Sequence, residues 1–359
     1  MKIVKGILIT TAVLLCVAGA VAAVLRHPAF GRKPSAARRA RMEASPHWRN
    51  GRFHNEEPTR QFTGSKGFFP AMWSFLTEKA ADNRPDAPLD AVKTDLKGLP
   101  ANRDWLVWFG HSSYLFQFAG TRFLVDPLLK PEFPVNLMMR PFPGTDIYRP
   151  EDMPDIDVLV ITHEHWDHMD YATLRDLRGR VGKVVCPLGI GEYMEQWGFP
   201  ADRILEMDWY EQTVATGSVR TEAVVTCLPA RHFSNRLFGQ NRTLWASFMI
   251  EAGGRKVYVG GDGGYDSRFR RIRERFGRVD LAFMENGQYN DDWAEIHMRP
   301  ADLEKAVLDL DARQVFTVHH DKFALARHPW AEPDSIAHHI AQKDHIDLLD
   351  SRIGEVVYY

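Results

Sequence analysis

The sequence predicts an α+β chain built as a four-layer αββα sandwich, and three observations predict it. From Trp105 onward, short apolar runs of strand length alternate with turn signals. Helical segments are interspersed in both halves rather than after every strand, which argues for a layered sandwich over a doubly wound sheet. Histidine or aspartate also recurs just past predicted strands, which would align polar side chains along one edge of the sandwich.

The elements follow in order. DWLVWFG, SYLFQFAG and TRFLVDP read as successive strands of a meander, and DIDVLVITHEH as an apolar strand running into a histidine motif. MDYATLRDLRGR reads as a helix, KVVCPLG as a strand and IGEYMEQWG as a helix stopped by glycine. SVRTEAVVTCLPARH, TLWASFMIEAGG, RKVYVGGDGG, VDLAFMEN and ARQVFTVHH supply further strands. RPADLEKAVLDLD and EPDSIAHHIAQKD supply further helices. These segments make one principal domain over 101–359. Before it, 44–100 is polar and turn-rich, with one helical candidate over 72–81, and reads as an arm that wraps the domain.

The first 43 residues differ in kind. After Lys2 and Lys5 comes an uncharged stretch from Gly6 to Leu25, long enough for a membrane-spanning helix. The small residues from Ala18 to Ala23 keep a cleaved export signal as the competing reading. The basic segment RHPAFGRKPSAARRARM follows, and reads as a solvated linker or as a contact for anionic lipid headgroups. Its charge argues for a principal domain on the cytoplasmic side, while the lysine-bearing start argues for export, so both sides stay open.

Composition narrows the function. With 26% charged and 45% hydrophobic residues the chain is an ordinary globular one, and a formal net charge of −2 gives no global basic field for nucleic acid. Three cysteines (Cys16, Cys186, Cys227) form neither a disulfide framework nor a CxxC pair; the last two each close an apolar run and read as core thiols. Self-association is compatible with this composition.

The chemistry concentrates in His163-Glu164-His165-Trp166-Asp167-His168, directly after a predicted strand. His163 and His165 are two apart, so extended backbone projects both to one side. Asp167 and His168 turn toward the following helix and face the same cavity from a second angle. Nitrogen and oxygen donors converging from one short run suit a borderline divalent ion such as zinc. His232, Asp262 and His319 each follow a strand in the same way. Asp262, after two glycines, also has a plain reading as a turn residue.

The stretches WFGHSSYLFQ, TRFLVDP, VLVITHEHWDHMDY, LPARHFS, TLWASFMI, VYVGGDGGYD and HHDKFAL, in that order between Trp105 and Pro329, resemble the metallo-β-lactamase superfamily. More narrowly, they resemble the branch containing the N-acyl-phosphatidylethanolamine-hydrolysing phospholipases D and their bacterial relatives. The resemblance implies two zinc ions per chain. His163, His165 and His232 would hold one ion, Asp167, His168 and His319 the other, with Asp262 bridging. Where the family has His-Trp-Gly-Thr-Phe, this chain has His319-His320-Asp321-Lys322-Phe323. Alignment on Phe323 selects His319, His320 is the alternative, and the Asp-Lys pair is expected to alter the rim of the site.

It further implies a hydroxide shared by two ions about 3.5–4 Å apart, attacking a phosphodiester in line. Asp167 would orient the nucleophile. Asp126 resembles the family's aspartate that buttresses a ligating histidine, with a turn role beside Pro127 as the other reading. His297 falls where relatives carry a histidine near the substrate, or is a surface histidine before a helix. His111 lines the pocket or steadies its loop. LMMRPF and Phe133 read as an apolar lip for acyl chains, or as packing surface. The implied substrate is a membrane phospholipid. The alternatives are a small soluble phosphodiester or lactone and, from another class, a catalytically idle metal-binding membrane protein.

Overall fold

A computed structural model describes residues 2–64, 73, 77, 82–216, 222–236 and 239–359, without the side chains at 2–4, 7–9 and 216. The helix expected over 72–81 lies outside the described residues except at Trp73 and Thr77.

A small antiparallel hairpin, β1 (Trp48–Arg49) and β2 (Arg52–Phe53), precedes two seven-stranded sheets. The first sheet holds β3 (Trp105–Trp108), β4 (Tyr114–Phe118), β5 (Thr121–Val125), β6 (Ile156–Val160), β7 (Val181–Pro187) and β8 (Ile204–Met207). It is closed at the β3 edge by the last strand, β16 (Val356–Tyr358). The second holds β9 (Gln212–Thr216), β10 (Glu222–Leu228), β11 (Ser247–Ala252), β12 (Arg255–Val259), β13 (Val279–Glu285), β14 (Ala312–Val318) and β15 (Asp347–Leu349), adjacent in that order.

Period-two alternation builds the layers. Leu106 and Trp108 of β3, Val158 and Val160 of β6, Leu281 and Phe283 of β13, and Phe316 and Val318 of β14 meet in one core between the sheets. Their neighbours Trp105, Val107 and Leu159 face the other way, onto the helices Tyr171–Leu177 and Gly191–Gln196 through Leu174, Leu177 and Met194. Tyr258, Ala282, Met284 and Val315 pack against the helices Arg268–Phe276, Pro300–Leu310 and Glu332–Asp344. The layering is helix, sheet, sheet, helix. Each large apolar side chain buried in it contributes roughly 1.5–3 kcal/mol. A one-residue register slip would expose a whole face, so register is strongly specified.

Strand direction positions the site. β12, β13 and β14 run parallel, and β10 points the same way because it reaches β12 through the antiparallel β11. β5 and β6 are parallel, and β3 shares their direction through β4. The carboxyl ends of each set therefore fall on one edge of its sheet. Several elements were not legible beforehand: β8, β9, β15, β16 and the basic helix Arg268–Phe276.

The basic segment after the first helix is docked onto the domain, which corrects the expectation of a solvated linker. Arg38 meets Glu192, Glu195 and Glu206, Arg32 meets Glu192, and Arg41 meets Glu211. Trp197 Nε1 donates to Pro28 O at 2.9 Å, and Ala29 and Met42 are buried. Acidic partners some 160 residues away neutralise Arg32, Arg38 and Arg41. The arm after it runs over the domain through Phe53 N to Asn241 O, Arg60 to Glu295 and Val92 N to Ile353 O. The first helix, Lys2–Leu25, presents Val13, Leu14, Leu15, Val17 and Val21 to solvent. Among the described residues no helix is long and apolar enough to cross a membrane; the expected span includes 7–9, whose side chains lie outside the description.

Candidate metal-binding active site

The run after β6 leaves the sheet as Ile161-Thr162 and continues without regular structure through His163 and His165. It turns at Trp166–His168 and enters the next helix behind an Asp170 cap, whose carboxylate accepts from Thr173 N at 2.9 Å. Hydrogen bonds from His168 N and Met169 N to His165 O, at 3.1 and 2.9 Å, tighten the turn. Asp126, at the end of β5, holds it from behind. Its Oδ1 accepts from Thr162 N at 2.8 Å, and its Oδ2 lies 2.8 Å from His168 Nδ1. That contact is the buttress the sequence suggested, and it aims His168 Nε2 at the cavity.

Two groups of donors result. In the first, His163, His165 and His232 converge, with His163 Nε2 and His232 Nε2 at 2.9 and 3.2 Å from His165 Nδ1. In the second, Asp167, His168 and His319 converge together with His111, whose Nε2 lies 2.8 Å from Asp167 Oδ2. Asp262 reaches both. Its Oδ2 stands 3.1 Å from His168 Nε2, 3.8 Å from His163 Nε2 and 3.9 Å from His232 Nε2, and its Oδ1 stands 3.0 Å from His319 Nδ1. All seven residues expected as ligands are thus brought together, and all but His165 and Asp167 are buried.

His319 rather than His320 faces this cluster. His320 turns away, with its ring 4.8 Å from that of Trp108 and its Nε2 3.2 Å from Thr317 Oγ1. The expected rim effect of Asp321-Lys322 is also corrected. Lys322 is 2% exposed and donates from Nζ to Phe109 O and Leu128 O, both at 3.0 Å. It ties together the loops that carry His111 and Asp126. Burial pushes its ammonium down to about 8. The supposed lip is corrected at Met139, which packs inside with Leu128, Val135 and Phe323, while Leu137 and Met138 are 75% and 54% exposed.

His297 lies at the cavity, its ring 5.1 Å from that of His232 and 5.4 Å from that of His319, and its Nδ1 pairs with Glu285. Sequence reasoning missed Glu285. It ends β13 as a buried acid at the same edge as the other strand-end residues, a signal VDLAFMEN already carried. Its Oε2 accepts from Gly263 N at 2.7 Å, beside Asp262. Arg236 was missed as well. Its buried guanidinium donates to Glu164 O, Met169 O and Ala29 O, and stacks 3.8 Å from the Trp166 ring. It clamps the motif loop to the docked N-terminal segment.

Of the twelve non-glycine residues with positive φ among the described residues, three lie at this edge: His111, Asp126 and His319, at 53°, 40° and 75°. Non-glycine residues hold that conformation only when their surroundings over-determine it.

Electrostatics favours ligation. Burial pushes His163 and His232 well below the ordinary histidine range and His165 to about 4, so the first group presents neutral imidazoles. In the second group burial opposes the charges of Asp167 and His168, and that of the shared Asp262, and is outweighed, whereas it prevails at His111 and pushes that imidazole down to about 3. Asp262 and Asp167 hold His168 up, and His168 together with other histidines holds those carboxylates well down. His168 Nε2 and Asp262 Oδ1 are fully buried yet make no hydrogen bond, although each has an opposite partner near 3 Å. Atoms that lie close without aligning on one another are aimed at a shared point, as ligands of a common ion are. Imidazole and carboxylate donors at this spacing fit divalent metal ions.

The model of the beta-lactamase superfamily domain matches residues 121–320. An uncharacterized protein of Mycobacterium tuberculosis is 33% identical over 327 residues, 89% of this chain and 86% of that one. The N-acyl-phosphatidylethanolamine-hydrolyzing phospholipase D 1 of Caenorhabditis elegans is 28% identical over 298 residues, 76% of this chain and 81% of its own length. Among solved structures, Igni18, a metallo hydrolase from the archaeon Ignicoccus hospitalis, superposes with a TM-score of 0.54 at 20% identity, covering 72% of this chain and 99% of that one. The fold, the convergent histidine and aspartate edge and these likenesses agree: the chain belongs to the metallo-β-lactamase superfamily of metal-dependent hydrolases.

Proposed function

We propose that this protein is a phosphodiesterase of the N-acyl-phosphatidylethanolamine phospholipase D type, acting on a phospholipid with two zinc ions. The observation that carries the reading is the convergence of seven histidine and aspartate side chains from strand ends of both sheets. Likeness to the worm phospholipase supports the substrate class.

His163, His165 and His232 would hold one ion and Asp167, His168 and His319 the other, with Asp262 between them. Bound ions supply Lewis acidity and make water acidic enough to attack near neutral pH. The chain's own residues do the rest. His111 holds the Asp167 carboxylate in place from 2.8 Å, where it would bind an ion and accept a hydrogen bond that orients the attacking water. Glu285 orients His297, which faces the cavity where a leaving alkoxide would need a donor. Leu137 and Met138 present apolar surface to acyl chains, and the first helix would hold the enzyme at a lipid surface with its exposed valines and leucines.

The test uses the full chain, because truncation at residue 43 would remove the docked Arg32, Arg38 and Arg41 together with the carbonyl that Arg236 holds. Zinc-loaded enzyme in mixed micelles should release phosphatidic acid from N-acyl-phosphatidylethanolamine, and Asp167→Ala should not. Equal release from both, or none from either with two ions bound, overturns the lipid reading and redirects attention to small phosphodiesters and lactones.

A further inference from the structure

A single guanidinium joins the docked N-terminal segment to the turn that carries three of the expected ligands. Arg236 Nη1 donates to Glu164 O at 2.7 Å and to Met169 O at 3.0 Å, and its Nη2 donates to Met169 O at 3.0 Å. Those two carbonyls bracket His165, Asp167 and His168. Arg236 Nε reaches back to Ala29 O, in the segment, at 2.8 Å. Trp166, inside the turn, stacks on the guanidinium at 3.8 Å and meets the Phe30 ring edge-on, with ring centres 5.5 Å apart. Arg236 is buried and a guanidinium keeps its charge, so each carbonyl it holds offsets part of a large desolvation cost. Withdrawing Ala29 O would leave Nε unpaired in the interior and remove one of the contacts that fix the fork.

The segment is seated over a hollow. From Phe30 to Trp48 it lines one side of a cavity of about 690 Å³, whose other side includes Glu164, Tyr193 and Arg236. Much of its hold on the domain is polar. Arg32 and Arg38 pair with Glu192, Arg38 pairs with Glu206, Ser35 N donates to Glu192 at 2.9 Å and Trp197 Nε1 donates to Pro28 O at 2.9 Å. A hollow, polar seat opens at a lower free-energy cost than a packed core does.

We infer that Arg236 is a positioning residue through which the seated segment fixes the ligand turn, so that opening of residues 28–43 weakens the binding of both metal ions. The turn contributes His165 to one donor group and Asp167 and His168 to the other, so both groups respond and the second responds more. Such coupling is reciprocal: bound metal holds the segment down by the same factor by which the seated segment tightens metal binding. The inference rests on the metal edge and not on the choice of substrate, and its test uses no substrate.

Amide hydrogen exchange of the full chain with and without zinc, combined with chelator competition, tests this. In wild type, zinc should slow exchange across 28–43 by at least about fivefold, the lower end of ordinary coupling, and by more than it slows the helix Pro300–Leu310 in the opposite layer. Arg236→Met should abolish that difference and weaken zinc binding by about 10–100-fold, as loss of a ligand's outer support does. Should that variant fold poorly, Glu192→Gln/Glu206→Gln loosens the segment with Arg236 and every ligand in place; it should speed exchange across 28–43 and weaken both ions together. Exchange across 28–43 that is indifferent to zinc, or slowing shared equally by Pro300–Leu310, overturns the inference. So does full zinc affinity in a variant whose segment exchanges freely.

Discussion

The two donor groups differ in how they are held. His163, His165 and His232 form a nitrogen-only trio of neutral rings, oriented by the neutral partners Thr162 Oγ1 and Ile296 O. Asp167 and His168 sit in a mesh of charge with Asp262, alongside His319 and with Asp126 and the neutral His111 as hydrogen-bond partners, and two of the supporting loops are pinned by Lys322. The first group is preorganised by burial. The second is preorganised by balanced charge, so removing Asp167, His168 or Asp262 leaves a buried charge uncompensated, whereas the first loses one neutral imidazole.

That contrast can be broken or sharpened, beginning with the residue both groups share. Asp262→Ala should lower activity by more than the roughly 10–100-fold typical of removing an outer supporting partner. Metal content should fall from about two ions per chain in the same variant, measured by plasma emission on dialysed protein. Retention of both ions would show that the groups are independent.

Next comes the pin beneath the charged group. The Lys322 ammonium sits at about 8 in the fold against 10.5 in an unfolded chain. The unfolded state therefore binds more protons between those pH values, and wild type should gain stability as pH rises through that window. The gain amounts to at most about 3 kcal/mol relative to Lys322→Met. Denaturant unfolding from pH 7.5 to 10.5 reads the difference; parallel curves for the two proteins would count against a buried, destabilised ammonium.

A smaller effect is expected one step out. Asp126→Asn should weaken one of the two ions by about 10–100-fold and leave the other in place. Competition with a chromogenic chelator resolves the two affinities, and equal weakening of both would erase the distinction drawn between the groups. Smallest is the lip: Leu137→Glu/Met138→Glu should reduce binding to phosphatidylcholine vesicles several-fold, with hydrolysis of a short-chain soluble phosphodiester unchanged. Unchanged vesicle binding would remove these residues from the lipid contact.

Legibility followed sequence distance. The run from His163 to His168 declared itself because its spacing and its strand are contiguous, and His232, Asp262 and His319 because each follows an apolar run. Glu285 occupied the same kind of position and was passed over, since a strand-end glutamate is ordinary. Lys322 and Arg236 were illegible for a firmer reason. A buried cation that binds backbone carbonyls leaves no partner residue in the sequence to be noticed. The docking of Arg32, Arg38 and Arg41 depends on glutamates more than 150 residues away, and no local pattern signals such pairs. The layered architecture was legible throughout because period-two alternation is local, while the short strands β8, β15 and β16 carry too few residues to display it.

The docked N-terminal segment also governs how the enzyme would meet its substrate. A helix joined by a loose tether lets a catalytic domain sweep a hemisphere of solution, sampling substrate by volume. Here His27 and Phe30 pack edge-on against Phe133, and Phe30 against Trp166 of the motif itself, so the helix leaves the domain at a fixed point beside the reactive edge. On a lipid surface that geometry removes the third dimension from the search. Turnover would then follow the number of substrate molecules per unit area, and diluting the substrate with inert lipid would slow the enzyme while diluting the whole suspension with buffer would not.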